Sequence, residues 1–146
     1  LTPLLKSVIL SCMLPIIAAV LLSTGTVTLE GSLVWGYTDV HRQVLEYRQS
    51  VGQVPEYVQV EECVSVVGGC GWIGDRVDLF LPDGQFAARL WVCDCAAAHD
   101  LEWNRQRGRV AEVSWVLADR WWDPAVGPLL GVKVVHRSAR WSFRPQ

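Results

Sequence analysis

The segment RVDLFLPDGQFAARLWV, residues 76–92, constrains the fold more than any other stretch of the chain. Val77, Leu79 and Leu81 share one face at a period of two, and Phe86, Ala88, Leu90 and Val92 resume that alternation. Between the two runs Pro82 presets φ and Gly84 accepts a positive φ, so residues 76–93 read as a β-hairpin. A chain of 146 residues with such a centre has room for one domain built around a sheet.

The rest of the chain supplies more short elements. Tyr57-Val58-Gln59-Val60-Glu61 alternates in the same way, residues 109–113 and 132–136 read as further strands, and residues 139–143 as a last one. Residues 96–108 read as a polar loop. Thr38 or Asp39 is placed to cap a short helix over residues 40–50, with Val40, Val44 and Tyr47 on one face and Gly52 and Pro55 beyond its end. Ser114 is placed to cap a second helix, in which Leu117, Ala118 and Trp121 share a face and which Asp123-Pro124 stops. No internal repeat is visible in the residues.

The start of the chain has a different character. Lys6 precedes the uncharged apolar run 7–22, which is followed by Ser23-Thr24-Gly25-Thr26. That order predicts an N-terminal hydrophobic helix within residues 1–30, either a cleaved signal peptide or an uncleaved anchor. A spanning helix takes about 20 apolar residues. Residues 4–22 reach that length only if Lys6 snorkels, and Pro15 lies in their middle. The expected division is a leader over residues 1–30, a linker with a short helix over 31–56, and the β domain over 57–146. The protein is then secreted or membrane-anchored. A formal charge of −2 with both signs scattered gives no basic stripe, which argues against nucleic acid as a partner.

Export makes disulfides the expected state of Cys63, Cys70, Cys93 and Cys95. Of the three pairings, Cys93 with Cys95 is least favoured, because a one-residue spacer in a strand points both side chains the same way. The expected pairing is Cys70 with Cys95 and Cys63 with Cys93. A zinc site from these thiols and His99 is the alternative, although the gap from Cys63 to Cys70 is wider than in common zinc knuckles.

Val92-Cys93-Asp94, Arg109-Val110-Ala111-Glu112-Val113-Ser114, Ala118 and Gly131-Val132-Lys133-Val134 resemble, in order, the motifs of the double-psi β-barrel domains of the RlpA, barwin and expansin group. The likeness covers roughly the C-terminal 90 residues. It implies a mostly β fold: a small six-stranded double-psi-type barrel with one or two short helices. Three departures stand beside it. Cys95-Ala96-Ala97 replaces the Arg-Gly-Pro that often follows the first Asp, Glu112 replaces the second Asp, and the histidine the family places ahead of the hairpin is missing. Members of the group cleave wall glycan, bind it without hydrolysis, or serve as scaffolds.

For glycan cleavage the resemblance points to Asp94 and Glu112, two carboxyls at strand exits, with Trp91 and Trp115 as the apolar wall that acid catalysis needs. On a purely structural reading Asp94 caps a loop and Glu112 pairs with Arg109 or Arg107. Trp72, Trp103 and Trp122, among eight tryptophans, fall near loops or helix ends and are candidate faces for sugar rings. His41, His99 and His136 are far apart in sequence and have no nucleophile motif, and Gly68-Gly69-Cys70-Gly71 lacks the ending of a phosphate loop. The expected function is an extracytoplasmic module that binds or remodels cell-wall polysaccharide such as peptidoglycan, without metal or cofactor. A structural subunit of an extracellular or virus-derived assembly, and a lytic enzyme using Asp94, are the alternatives.

Overall fold

The computed structural model describes residues 25–96 and 98–137. They form a mostly β protein whose six strands close into a barrel. The strands are β1 (Thr26–Gly36), β2 (Cys63–Val66), β3 (Arg76–Phe80), β4 (Phe86–Cys95), β5 (Arg109–Ser114) and β6 (Leu129–Arg137). Helix α1 (Thr38–Ser50) follows β1, α2 (Ala98–Gln106) follows β4, and the single turn α3 (Trp115–Ala118) follows β5.

Around the barrel the order is β1-β5-β2-β4-β3-β6. The pairs β1/β5 and β2/β4 are parallel, and the other four pairs are antiparallel. Exchanging β1 with β4, β2 with β5 and β3 with β6 returns the same ring with the same directions. The exchange also carries α1 onto α2. The chain is therefore two interlocked strand-helix-strand-strand halves related by a two-fold operation in strand order. The antiparallel pair β2/β5, with Ser65 opposite Glu112 and Val66 opposite Ala111, lies on that axis.

Alternation explains the core. Val64, Val66, Val77, Leu79, Leu90, Val92, Ala111, Val113, Val132 and Val134 point inward at every second position of five strands, joined by Leu33, Leu117 and Ala118. The intervening residues of β4 face outward, where Trp91 and Cys93 pack with Cys63, Leu45 of α1, Val54, Val58 and Val60 in a second buried cluster. At the hairpin tip Gly84, with φ of 86°, closes the turn: its N–H donates to Leu81 O at 2.8 Å. Ser114 caps α3 as its sequence position predicts, accepting from Leu117 N–H, a contribution of about 1 kcal/mol.

Several expectations are corrected. Residues 26–36 are a full strand of the barrel, so the barrel begins well before residue 57 and residues 31–36 are not linker. Residues 57–61 are not a strand. Gln59 N–H donates to Glu62 Oε1 at 3.0 Å and Glu62 N–H to Gln59 O at 2.9 Å, which winds Val60–Glu62 into a 3-10 turn. Pairing starts instead at Cys63. Within 96–108, Ala98–Gln106 is a helix with no buried residue. Neither Thr38 nor Asp39 caps α1: the helix starts at Thr38 with Tyr37 at its N-cap, and the Thr38 hydroxyl accepts from Val116 N–H at 3.4 Å. Of the leader expected over residues 1–30, residues 26–30 belong instead to β1, and those up to 24, like the strand expected at 139–143, lie outside the described residues.

Cys63 is bonded to Cys93 and Cys70 to Cys95, the expected pairing, which takes all four thiols away from a zinc site. Two disulfides fit an extracellular protein. Among the described residues no helix is long and apolar enough to cross a membrane.

Candidate functional site

At the end of the barrel where β1, β4 and the start of β5 meet α1 and α2, an open cavity of about 760 Å³ enters the wall. Its floor is a row of residues across four adjacent strands: Asp94 of β4, Ser65 of β2, Glu112 of β5 and Val34 of β1. Neighbouring strands lie about 4.8 Å apart, so the Cα atoms of Asp94 and Glu112 are on the order of 10 Å apart, with Ser65 between them. The row crosses the barrel's two-fold, which is why one cavity collects equivalent positions from both halves.

Both candidate carboxylates are held by α1. Arg48 donates from Nη2 to Asp94 Oδ1 at 3.2 Å, and His41 Nε2 lies 2.9 Å from Glu112 Oε1. His41 and Arg48 are seven residues apart and so share a helix face. Gly36 makes the second contact possible, because a Cβ there would stand 2.5 Å from Glu112 Oε1 and 2.8 Å from His41 Nε2. Glu112 thus pairs with neither Arg107 nor Arg109, and Asp94 is tied to a helix across the cavity. Neither Trp91 nor Trp115 supplies an apolar wall to them. Trp91 is buried in the outer cluster, and Trp115 packs edge-on against Trp35 with ring centroids 4.5 Å apart.

The far wall comes from α2: His99, Asp100, Trp103 and Asn104 line the cavity, and His99 Nε2 lies 3.0 Å from Asp100 Oδ2. The Cys70–Cys95 disulfide is part of the wall and ties the loop after β2 to the end of β4. Donors from Arg48, Arg109 and Asn104 alternate with acceptors from Asp94, Ser65 and Glu112, and Val34, Val67, Ala111 and Trp103 put apolar surface among them.

The three candidate tryptophans separate. Trp103 lines the cavity and is 46% exposed, with the Arg107 and Arg109 guanidiniums over its ring at 3.8 and 4.5 Å. Trp72 stacks on His136 at 4.3 Å between ring centroids and leans on the core. Trp122 also packs against the core and donates from Nε1 to Gly127 O at 2.8 Å. His136 is further tied to Asp75 at 2.8 Å, so that histidine belongs to a packed pair away from the cavity.

Sequence reasoning gives no sign of Arg48 or Ser65, offers Arg109 only as an ion-pair partner for Glu112, and assigns no role to His41. The seven-residue spacing of His41 and Arg48 is the signal that would have grouped two of them. Among the described residues no cluster of three or more His, Cys, Asp or Glu is arranged to hold a metal ion. No protein-family profile matches the chain, and no curated protein or solved structure matches it significantly.

Proposed function

We propose that this protein is an extracytoplasmic carbohydrate-binding module of the cell envelope that takes a segment of wall glycan into the cavity. The observation that carries this reading is the floor row Asp94–Ser65–Glu112 facing the Trp103 wall. A sugar ring presents hydroxyls at its edge and C–H groups on its faces. The cavity offers the complement: ionised and neutral hydrogen-bonding groups fixed on strands, with apolar surface between them. Strands and a disulfide hold these groups in place before a ligand arrives, which lowers the entropy cost of binding.

Peptidoglycan is the proposed glycan because the motif resemblance implies it, and the two disulfides fit the extracytoplasmic setting it needs. The closed six-stranded barrel, built of two interlocked halves, is compatible with that resemblance and supports it. Binding is favoured over cleavage by the partners of the carboxylates. An acid catalyst is kept protonated by an apolar surround, and each of these carboxyls instead faces a basic group.

Co-sedimentation of the full chain with purified insoluble peptidoglycan, combined with assay of released soluble fragments, tests the reading. The protein is expected to pellet with the wall and release nothing. Asp94→Ala, which strips the floor of a carboxylate acceptor and leaves Arg48 without its acidic partner, should weaken binding about tenfold, or ~1.4 kcal/mol. Fragment release that disappears in Asp94→Asn would make the protein an enzyme, and absence of binding would overturn the proposal.

A further inference from the structure

The charges around the cavity do not cancel at its mouth. Three carboxylates line it, and each has a basic partner: Asp94 has Arg48 at 3.2 Å, Glu112 has His41 at 2.9 Å and Asp100 has His99 at 3.0 Å. Arg109 is left over. It lines the cavity and also an adjoining recess of about 260 Å³, the two sharing Val34 and Glu112, yet no Asp or Glu among the described residues pairs with it. Arg107 stands beside it on the Trp103 ring, also without an acidic partner among the described residues.

A guanidinium resting on an aromatic face keeps its N–H edge directed sideways, where it can grip a planar anion through two parallel hydrogen bonds. The ring restricts the arginine and excludes water from one side, so an anion meets a cation already oriented for it. Asp94 and Glu112, which line the same cavity, oppose a densely charged group, so the anionic group that suits this place carries a single charge.

We propose that the cavity mouth selects an acidic saccharide, one bearing a carboxylate that pairs with Arg109 above Trp103. This deepens the glycan-binding reading and rests on it. The sugar ring occupies the floor row, and its carboxylate substituent points outward to the arginine. Two sources supply such a group: a uronic acid, and a sugar carrying a free lactyl ether carboxylate as in wall glycan freed of its peptides.

The test is titration calorimetry of the full chain with three oligosaccharides of equal length: a neutral chitooligosaccharide, peptide-free peptidoglycan glycan, and oligogalacturonate. At least one carboxylated ligand should bind about tenfold or more tightly than the neutral one at low salt, as a charge-assisted hydrogen-bonded pair implies. The difference between the two acidic ligands identifies the source. Arg109→Gln should bring the acidic ligands down to the affinity the same variant shows for the neutral one, and Arg109→Lys should restore part of the preference as a point charge. An unchanged thermal midpoint checks that both variants fold. Equal affinity for neutral and acidic ligands, or a preference that survives in Arg109→Gln, overturns this inference and leaves glycan binding standing. Absence of binding to all three overturns both.

Discussion

Replacing Cys63 and Cys93 together by alanine should lower the unfolding free energy by about 3–4 kcal/mol. The bridge joins residues 30 apart in sequence, and closing a loop of that size removes this much conformational freedom from the unfolded chain. Both sulfurs also sit in the outer cluster with Leu45, Val54, Val58, Val60 and Trp91, so their loss opens packing between the barrel wall and α1. Denaturant unfolding should show a lower midpoint with a steeper slope, because the unfolded chain without its cross-link exposes more surface, and the melting temperature should fall by roughly 10–20 °C. A loss below about 1 kcal/mol would mean that the two thiols contribute no effective cross-link. The Cys70–Cys95 pair closes a comparable span of 25 residues, but it lies on the cavity wall, so its removal should also loosen the site.

The second large effect is expected inside the barrel. Leu79 is fully buried at the middle of β3, between β4 and β6, where it is paired with Ala88 and Val134. Leu79→Ala removes three carbons from a closed wall that cannot collapse around the gap, and should cost about 2–5 kcal/mol. Leu130→Ala, at a position 69% exposed on β6, should cost less than about 0.5 kcal/mol. Equilibrium unfolding of the two variants side by side checks both. Similar stabilities would contradict the inward register of β3.

The residues that were legible in the sequence are those whose signal is local. The β3–β4 hairpin declares itself through alternation and Pro82-Asp83-Gly84. Ser114 is a cap because the residues after it turn helical, and strand geometry disfavours the Cys93–Cys95 pairing without choosing between the other two. Where a signal is missing, the physical reason is equally local. β1 ends in three successive buried residues, Ser32, Leu33 and Val34, because it lies between two neighbours and a helix, so its period of two is lost. It also follows closely on the apolar run 7–22, which masks it in the sequence. Helix α2 buries no residue and so has no apolar stripe to reveal it.

The candidate site was half legible. Asp94, Glu112 and Trp103 do meet at one cavity, whereas Trp72 and Trp122 are absorbed by packing against the core. The groups that complete the site come from far along the chain: His41 lies 71 residues from Glu112, and Arg48 lies 46 from Asp94. The seven-residue spacing groups His41 with Arg48 on one helix face, but only the folded barrel brings either to its carboxylate, so no sequence motif links them to Glu112 and Asp94. The two-fold in strand order is likewise invisible as a sequence repeat, because it constrains directions and connections while leaving the side chains free to differ.

The central claim is that this cavity binds glycan, and amide chemical-shift mapping of the full chain during titration with soluble peptide-free peptidoglycan fragments tests it most directly. The account predicts that the amides of Ser65, Asp94, Ala111 and Glu112 and the Trp103 indole N–H move together and saturate. Thr28, Gly84 and Phe86, at the opposite end of the barrel, should stay still. Shifts confined to that opposite end, or none at saturating ligand, would contradict it.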